Sequence, residues 1–135
     1  MSLKLRVLEG LYAVCQLEPI SPIPHWVHGQ GLVNISRSAD ELSLVCLENR
    51  VPAGTRAERG WLALKLEGPF DFALTGILAS LLNPLAQAKI GIFALSTYNT
   101  DYVLVKRDSL EVALKALESA GHEVETAETA HRAEG

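Results

Sequence analysis

The spacing of hydrophobic residues changes along the second half of the chain. Apolar side chains recur at every second position over Trp61–Leu66, a spacing typical of a strand with one buried face. From Leu74 to Leu85 the apolar residues stand three and four apart, which predicts a helix over residues 77–88 with one continuous apolar stripe. The chain is therefore expected to pass from a strand into a helix between these two segments.

Both ends of this predicted helix carry unusual residues. Asp71 or Thr75 is a candidate cap for its start. Pro84 has no N–H, and its ring would collide with the carbonyl of Ser80, so we expect a kink or a local break there.

Three strands and a second helix follow. The strands are predicted at Ile90–Ser96, Tyr102–Val105 and His122–Glu125, with a helix that begins at Ser109 and ends before Gly121. Residues 61–125 thus have the order strand, helix, strand, strand, helix, strand. This βαββαβ order predicts an α+β ferredoxin-like sandwich, in which two helices cover one face of an antiparallel sheet.

The first half of the chain favours short strands and little helix. Leu3–Leu8 and Tyr12–Leu17 are apolar runs separated by Glu9-Gly10, which predicts a hairpin. Strands are also predicted at Leu32–Ser36 and Leu42–Leu47, after a proline-rich segment that cannot form regular helix or a central strand. Val51–Gly60 is the candidate linker to the second half.

This organisation predicts two units and a tail. Residues 1–60 are interpreted as an abbreviated copy of the βαββαβ plan that residues 61–125 follow. The alternative is that the early strands simply extend one sheet. Residues 126–135 contain no large apolar side chain, so we expect them to form a disordered tail.

Composition narrows the class of protein. The 135 residues include 12 lysines and arginines against 16 aspartates and glutamates, a net charge of −4, so the chain has no excess of positive charge to neutralise nucleic-acid phosphates. No apolar run reaches the roughly 18 residues of a membrane helix, and the N-terminal stretch lacks the pattern of a signal peptide. We therefore expect a cytoplasmic protein with neither nucleic acid nor membrane as a partner.

Candidate metal ligands and catalytic sets are sparse. Cys15 and Cys46 lie in apolar stretches and are predicted to be buried thiols rather than a disulfide. His25 and His28 have no acidic residue or cysteine close in sequence, so we predict no metal site and no cofactor. The sequence has no phosphate-binding glycine loop and no nucleophile motif. An acid–base pair of Asp71 with Asp101 has no further support, so we expect no enzymatic activity.

Two adjoining segments, Thr75–Ile90 and Gly91–Val105, resemble the ACT domain family, most specifically in Ser96-Thr97-Tyr98-Asn99-Thr100-Asp101. ACT domains are small ferredoxin-like modules that bind amino acids and regulate the proteins that carry them. Within the family, the chain is similar to stand-alone ACT proteins related to aspartate kinase regulatory domains and to the cytosolic arginine sensors of animals. The resemblance covers about half of the chain, and residues 1–60 fit only as a degenerate first unit of a tandem pair.

The resemblance implies an amino-acid site at an interface between ACT units, within or between chains. Its expected residues are Asp71, Thr75, Gly76, Ile77, Thr97, Tyr98, Thr100 and Asp101. The helix N-terminus suits the ligand carboxylate, Gly76 permits a close approach, and Asp101 suits the ligand ammonium. Leu74 stands where arginine-sensing relatives carry an acidic residue, so arginine is not the expected ligand. Many ACT domains end their first helix with a left-handed glycine, and Lys89 occupies that place here, so the resemblance implies either backbone strain at Lys89 or a different exit from the helix.

Each of these residues has a structural alternative. Asp101 could bond to its own turn, Gly76 could serve helix packing, Tyr98 could cover the sheet edge and Asp71 could cap the helix. Two functions therefore stay open. One is a non-catalytic regulatory protein that binds an amino acid, and the other is a ligand-free interaction or dimerisation module that acts on a metabolic enzyme through an open sheet edge. We expect a homodimer.

Overall fold

The computed structural model describes residues 2–68 and 76–126. Contacts divide the chain into two units: one is Glu9–Trp61, and the other joins the residues up to Leu8 with those from Leu62 onwards. We call them the N-terminal unit and the C-terminal unit. The division into residues 1–60 and 61–125 stays a prediction, and the contacts add the first strand of the chain to the C-terminal unit. The predicted tail lies outside the described residues, apart from Thr126.

The described residues form strands and helices in the predicted order. They are β1 Lys4–Val7, β2 Tyr12–Leu17, β3 Asn34–Arg37, β4 Leu42–Leu47, β5 Ala57–Leu66, α1 Ile77–Gln87, β6 Ile92–Ser96, β7 Asp101–Lys106, α2 Leu110–Ser119 and β8 Glu123–Glu125. From β5 onwards the order is βαββαβ, so the predicted ferredoxin-like α+β class is confirmed.

The core of the C-terminal unit lies between two helices and one face of a sheet. The apolar stripe of α1 buries Ile77, Leu81 and Leu85, and α2 buries Ala113 and Leu117 in the same cluster. The sheet supplies alternate residues of its strands to this cluster, namely Leu3, Leu5, Leu64, Leu66, Val103 and Val105. Because alternate residues of a strand share a face, both helices pack on the same side of the sheet.

Strand β1 has an unexpected position in this sheet. The strands of the C-terminal unit are ordered β8–β1–β5–β7–β6. Strand β1 is antiparallel to β5 and parallel to β8. The predicted hairpin of the first two strands is therefore wrong, and the expected all-antiparallel sheet contains one parallel pair. Strands β1 and β2 are both antiparallel to β5, so Glu9-Gly10 does not reverse the chain, and the partners of β1 lie far away in the sequence.

Pro84 does not break α1, because the carbonyl that it leaves unpaired finds another donor. The helix is continuous from Ile77 to Gln87. The carbonyl oxygen of Ser80 lies 2.9 Å from His122 Nε2, and His122 Nδ1 accepts a hydrogen bond from the Leu3 N–H at 3.1 Å. Since Leu3 N can only donate, the network assigns the proton to Nε2, which donates to Ser80. The buried imidazole thus joins α1 to the start of β1.

The end of α1 confirms the strain expected at Lys89. Its φ is 61°, and Lys89 is the non-glycine residue with positive φ in the described part of the chain. The Ile90 N–H donates to the Leu85 carbonyl at 3.1 Å, and the Lys89 N–H donates to the Ala86 carbonyl at 3.0 Å. These bonds close a left-handed helix end that usually carries glycine.

The N-terminal unit buries its sheet under loops and single turns. Its strand order is β3–β4–β2, followed by the first residues of β5. The core contains Ala13, Cys15, Val27, Leu42, Leu44, Cys46 and Val51. Val27, which is fully buried, belongs to a 3₁₀ turn over His25–Val27 that packs on this core. The N-terminal unit is therefore poor in helix, as predicted.

The predicted linker is partly wrong. Strand β5 already begins at Ala57, within the segment Val51–Gly60 that was expected to be a linker. Its first residues pair with β2, in the register Val14 with Glu58. Charged side chains conceal this strand in the sequence, because an exposed strand face carries them as readily as a loop does.

Arginine side chains hold the loops of the N-terminal unit. Arg37, Arg50 and Arg59 each donate to backbone carbonyls of loops and single turns. The acceptors are the carbonyls of Pro19 and Ser21 for Arg37, of Gln30 for Arg50, and of Glu48, Val51 and Pro52 for Arg59. Irregular segments are thereby fixed without a regular hydrogen-bond ladder.

Candidate functional site

The β6–β7 turn is fixed by its own threonines. The Thr97 N–H donates to the Thr100 carbonyl at 2.8 Å, and Thr97 Oγ1 accepts from the Thr100 N–H at 3.4 Å. Thr100 is buried, and its hydroxyl donates to the Leu66 carbonyl at 2.7 Å. Both hydroxyls are therefore occupied within the protein, and they hold the start of β7 beside the end of β5.

A cavity of about 170 Å³ lies at this turn. Its lining comes from the end of β5 (Lys65, Glu67, Gly68), from the turn (Thr97, Asn99, Thr100) and from Tyr102 of β7. Lys65 and Tyr102 alternate with core residues of their strands, so they lie on the sheet face opposite to the helices. The cavity brings together two of the predicted residues, Thr97 and Thr100, with lining residues that the sequence did not single out.

The charges around the cavity are unequally paired. Arg6 lies directly opposite Lys65 in the pairing of β1 with β5. Arg6 Nε lies 3.4 Å from Glu67 Oε1, and both of these side chains are roughly half exposed. Within the part of the chain that the structure describes, Lys65 Nζ has no corresponding partner. The carboxylate of Glu67 is therefore ion-paired with only one of two neighbouring cations.

Asp101 lies on the other face of the sheet. It belongs to the alternate set of β7 that contains Val103 and Val105, and therefore points to the helix-bearing side. Ser96, opposite in the register, donates its hydroxyl to Asp101 Oδ1 in a short hydrogen bond. Asp101 is half-buried and does not line the cavity.

The start of α1 lies at the same end of the sheet as Asp101. His122 links Ser80, in the first turn of α1, to Leu3. The Glu67 N–H donates to the Lys4 carbonyl at 2.8 Å, so the start of β1 is beside the end of β5. Thr100 fixes the start of β7 at that same end. The first turn of α1 and Asp101 therefore lie at one end of the sheet and on the same face.

Gly76 precedes α1 in the left-handed conformation. Its φ is 76°, and a β-carbon placed on it would meet no atom within 4 Å. Glycine is therefore favoured here by the backbone rather than by close packing. Ile77 contributes its side chain to the core, which leaves its backbone N–H as the group that a ligand can reach.

The remaining predicted residues have different situations. The side chain of Tyr98 is 81% exposed at the tip of the turn. Asp71 and Thr75, together with the position of Leu74, lie outside the described residues. The lining residues Lys65, Glu67, Asn99 and Tyr102 were missed, because only the strand register reveals which charged and aromatic side chains share a face.

The thiols and histidines do not form a second site. Cys15 and Cys46 are both free and buried, as predicted. Burial is the largest cause that raises the pKa of the Cys15 thiol, to about 11, and the pKa of Cys46 is also raised by burial. Within residues 2–68 and 76–126, no three histidine, cysteine, aspartate or glutamate side chains group as metal ligands. No helix in these ranges combines the length and apolar character needed to cross a membrane.

Family models match both units. The ACT domain model matches residues 56–119, and a second model, described as an N-terminal domain, matches residues 10–54. The bovine (Bos taurus) cytosolic arginine sensor for mTORC1, subunit 1, is 36% identical over 66 residues. That alignment covers 45% of this chain and 20% of the sensor, so the chain spans only a small part of this relative.

Solved structures extend the similarity to almost the whole chain. Protein Atu0741 from Agrobacterium tumefaciens is 41% identical, with a TM-score of 0.89, over 93% of this chain and 94% of that one. The regulatory subunit of aspartate kinase from Thermus thermophilus shares the fold at 12% identity, with a TM-score of 0.59 over 84% of this chain and 93% of that one. The match of the ACT domain model to residues 56–119, together with the βαββαβ order that begins at β5, shows that this chain carries a domain of the ACT family.

Proposed function

We propose that this chain is a non-catalytic, cytoplasmic regulatory protein that binds a free amino acid at an interface between ACT units. The ACT family and the arginine-sensing relative support the proposal. The observation that carries it is the position of Asp101 and the first turn of α1 at one end of the sheet, on the same face. A binding site for an amino acid needs both an acceptor and a set of donors, and this end of the sheet has both.

The ligand carboxylate is assigned to the start of α1. The first backbone bond of the helix is from the Ser80 N–H to the Gly76 carbonyl at 3.0 Å, and the N-cap residue, Gly76, has no side chain with which to cap the helix. The N–H groups of Ile77, Leu78 and Ala79 therefore have no partner within the helix. These donors and the positive end of the helix dipole favour a carboxylate.

The ligand ammonium is assigned to Asp101. Its carboxylate accepts from the Ser96 hydroxyl and keeps further lone pairs for a cation. Charge-assisted hydrogen bonds of this kind are about twice as strong as neutral ones. The predicted residues Asp71, Thr75 and Tyr98 remain part of the proposed site as groups that surround the ligand.

Isothermal titration calorimetry against the standard amino acids tests this proposal. We expect one of them to bind, and Asp101→Asn to weaken its binding about thirty-fold or more, because the ammonium loses its counter-charge. Gly76→Val should also abolish binding, since a branched side chain would stand at the helix N-terminus and favour a different backbone conformation. Silence across the whole set of amino acids would refute the proposal.

Asp40→Asn is the matched control, because Asp40 is an exposed turn aspartate of the N-terminal unit. It should bind the same amino acid as the parent protein does. Thermal unfolding of all variants separates loss of binding from loss of fold. If Asp101→Asn and Gly76→Val lost stability and affinity together, the structural interpretation of both residues would be favoured instead.

The alternative is a ligand-free interaction module, and strand β6 supports it. Among the described residues, β6 pairs with β7 alone, so its other edge is open to a further strand. Pairing of this edge with a second copy gives a homodimer, which could act on a partner enzyme. Light scattering that gave the mass of a single chain at micromolar concentration, with and without amino acids, would contradict the dimer.

A further inference from the structure

The cavity on the helix-free face contains hydrogen-bonding groups that have no partner among the described residues. The hydroxyls of Thr97 and Thr100 are occupied within the turn and at β5. In contrast, among residues 2–68 and 76–126, none bonds to the Lys65 ammonium, the Asn99 amide or the Tyr102 hydroxyl. All three line the cavity. Three groups able to donate hydrogen bonds therefore converge on one space.

The charge balance of this space favours an anion. Glu67 is ion-paired with Arg6, whereas no carboxylate of the described residues pairs with Lys65. Arg6 and Lys65 lie directly opposite each other on adjacent strands, and such like-charge pairs are destabilising. The three charges sum to one positive charge. An anion beside Lys65 would supply the missing partner and relieve the repulsion.

The size and chemistry of the cavity select a small carboxylate. The cavity of about 170 Å³ has room for a carboxylate group and is partly open to solvent. An ammonium, an amide N–H and a phenol O–H all donate well to carboxylate oxygens.

We propose that this cavity binds the side-chain carboxylate of an acidic amino acid, with Lys65 as the ion-pair partner and Tyr102 and Asn99 as hydrogen-bond donors. The proposal goes beyond the proposed function, because it adds a second site and names the class of amino acid that this site takes. Asp101 points to the opposite face of the sheet and does not line the cavity, so the two sites are separate.

Calorimetry with matched acid and amide ligands tests this assignment. We expect L-glutamate or L-aspartate to bind at least about thirty-fold more tightly than L-glutamine or L-asparagine. Lys65→Met should abolish that preference, Lys65→Arg should largely retain it, and Tyr102→Phe should weaken binding of the acid about ten-fold. Binding of the amides should change by less than about two-fold in the two Lys65 variants, because a neutral amide gains little from the charge.

Lys4→Met is the matched control. Lys4 lies on β1, on the same sheet face as Lys65, and does not line the cavity. It should leave the preference for the acid intact. Lys65→Met removes one member of a like-charge pair, so we expect thermal unfolding to show a fully folded variant.

The outcomes separate this inference from the proposed function. If a neutral or basic amino acid binds most tightly, loses affinity in Asp101→Asn and is unaffected by Lys65→Met, the acidic class is wrong and amino-acid binding stands. If no amino acid binds, both proposals fail. If the acid is preferred equally by the parent and by Lys65→Met, the cavity is not where the carboxylate lies.

Discussion

The two units reach a buried core by different means. In the C-terminal unit, the stripes of α1 and α2 cover one face of the sheet with regular structure, and the hydrogen bonds of each helix are mostly internal. In the N-terminal unit, loops and single turns cover the sheet, and Arg37, Arg50 and Arg59 satisfy loop carbonyls. A helix brings its own hydrogen-bond partners, whereas an irregular segment needs donors from elsewhere in the sequence.

Core truncations in each unit give the largest expected effect. Leu81 and Leu44 are almost fully buried, one in each core. We expect Leu81→Ala and Leu44→Ala each to cost about 3 kcal/mol of unfolding free energy, since both leave a cavity. Urea unfolding with two probes assigns the losses, because Trp26 and Trp61 both belong to the N-terminal unit and both α-helices of the described residues to the other.

Leu81→Ala should shift the circular-dichroism transition of the helices, and Leu44→Ala the tryptophan fluorescence transition. Equal shifts of both probes in both variants would contradict the separation into two units.

A pair of glycine substitutions examines how tightly the N-terminal unit fixes its loops. Gly31 and Gly54 both have positive φ, at 84° and 90°. A β-carbon on Gly31 would lie 2.7 Å from the Tyr12 hydroxyl, which accepts from the Leu32 N–H, whereas a β-carbon on Gly54 would meet nothing within 4 Å. We expect Gly31→Ala to cost about 2–3 kcal/mol and Gly54→Ala about 1 kcal/mol.

Chemical unfolding of both glycine variants measures the difference, which isolates the contact with Tyr12 from the backbone strain that the two positions share. Equal losses would show that the loop moves freely away from Tyr12.

The pH dependence of stability distinguishes the two units further, because both cysteines lie in the N-terminal one. Burial raises the pKa of Cys15 from 9.0 to about 11. As the pH rises, the unfolded chain therefore ionises first, so the stabilisation is complete below pH 9 and is lost between pH 9 and 11. The loss is about 2–3 kcal/mol.

Fluorescence-detected unfolding across this pH range should follow the loss, and Cys15→Ala should flatten the dependence. An unchanged slope in that variant would assign the effect to other groups.

The smallest expected effect is a gain in the C-terminal unit. Lys89 has a φ of 61°, which favours glycine. We expect Lys89→Gly to stabilise the protein by about 0.5–1 kcal/mol, because relief of strain exceeds the added flexibility of the unfolded chain. Ala88→Gly, at a φ of −81°, is the control and should destabilise by a similar amount. Thermal unfolding compares the two, and a loss in both would show that Lys89 is not strained.

The sequence predicted local structure well where the hydrophobic spacing and the hydrogen-bonding partners of an element are both close in the sequence. Strand β4 begins and ends where its alternation does, at Leu42 and Leu47, and α1 begins at the predicted Ile77. The pairing of β1 was missed because its partners are remote in the sequence, and a local turn signal cannot reveal them. Pro84 was expected to disturb α1, but whether a distant imidazole rescues the Ser80 carbonyl depends on tertiary structure.

The candidate site shows the same limit. Asp101 and Gly76 stand out in the sequence by their motif, whereas Lys65 is one lysine in an alternating strand. Its position opposite Arg6 follows from a register that joins residues far apart in the chain. The charged side chains that pair across a sheet can therefore be predicted only after the strand order is known.

The central position of β1 also has a consequence for folding. The contact of Leu3 with His122 spans 119 residues, and β1 separates β5 from β8 in the sheet. Such remote pairing raises the contact order and slows folding, because the chain must close a long loop before the contact stabilises it. During synthesis, β1 is made long before its partners and stays an unpaired strand until β5 and β8 follow. The C-terminal unit can therefore complete its sheet only after β8 has been synthesised.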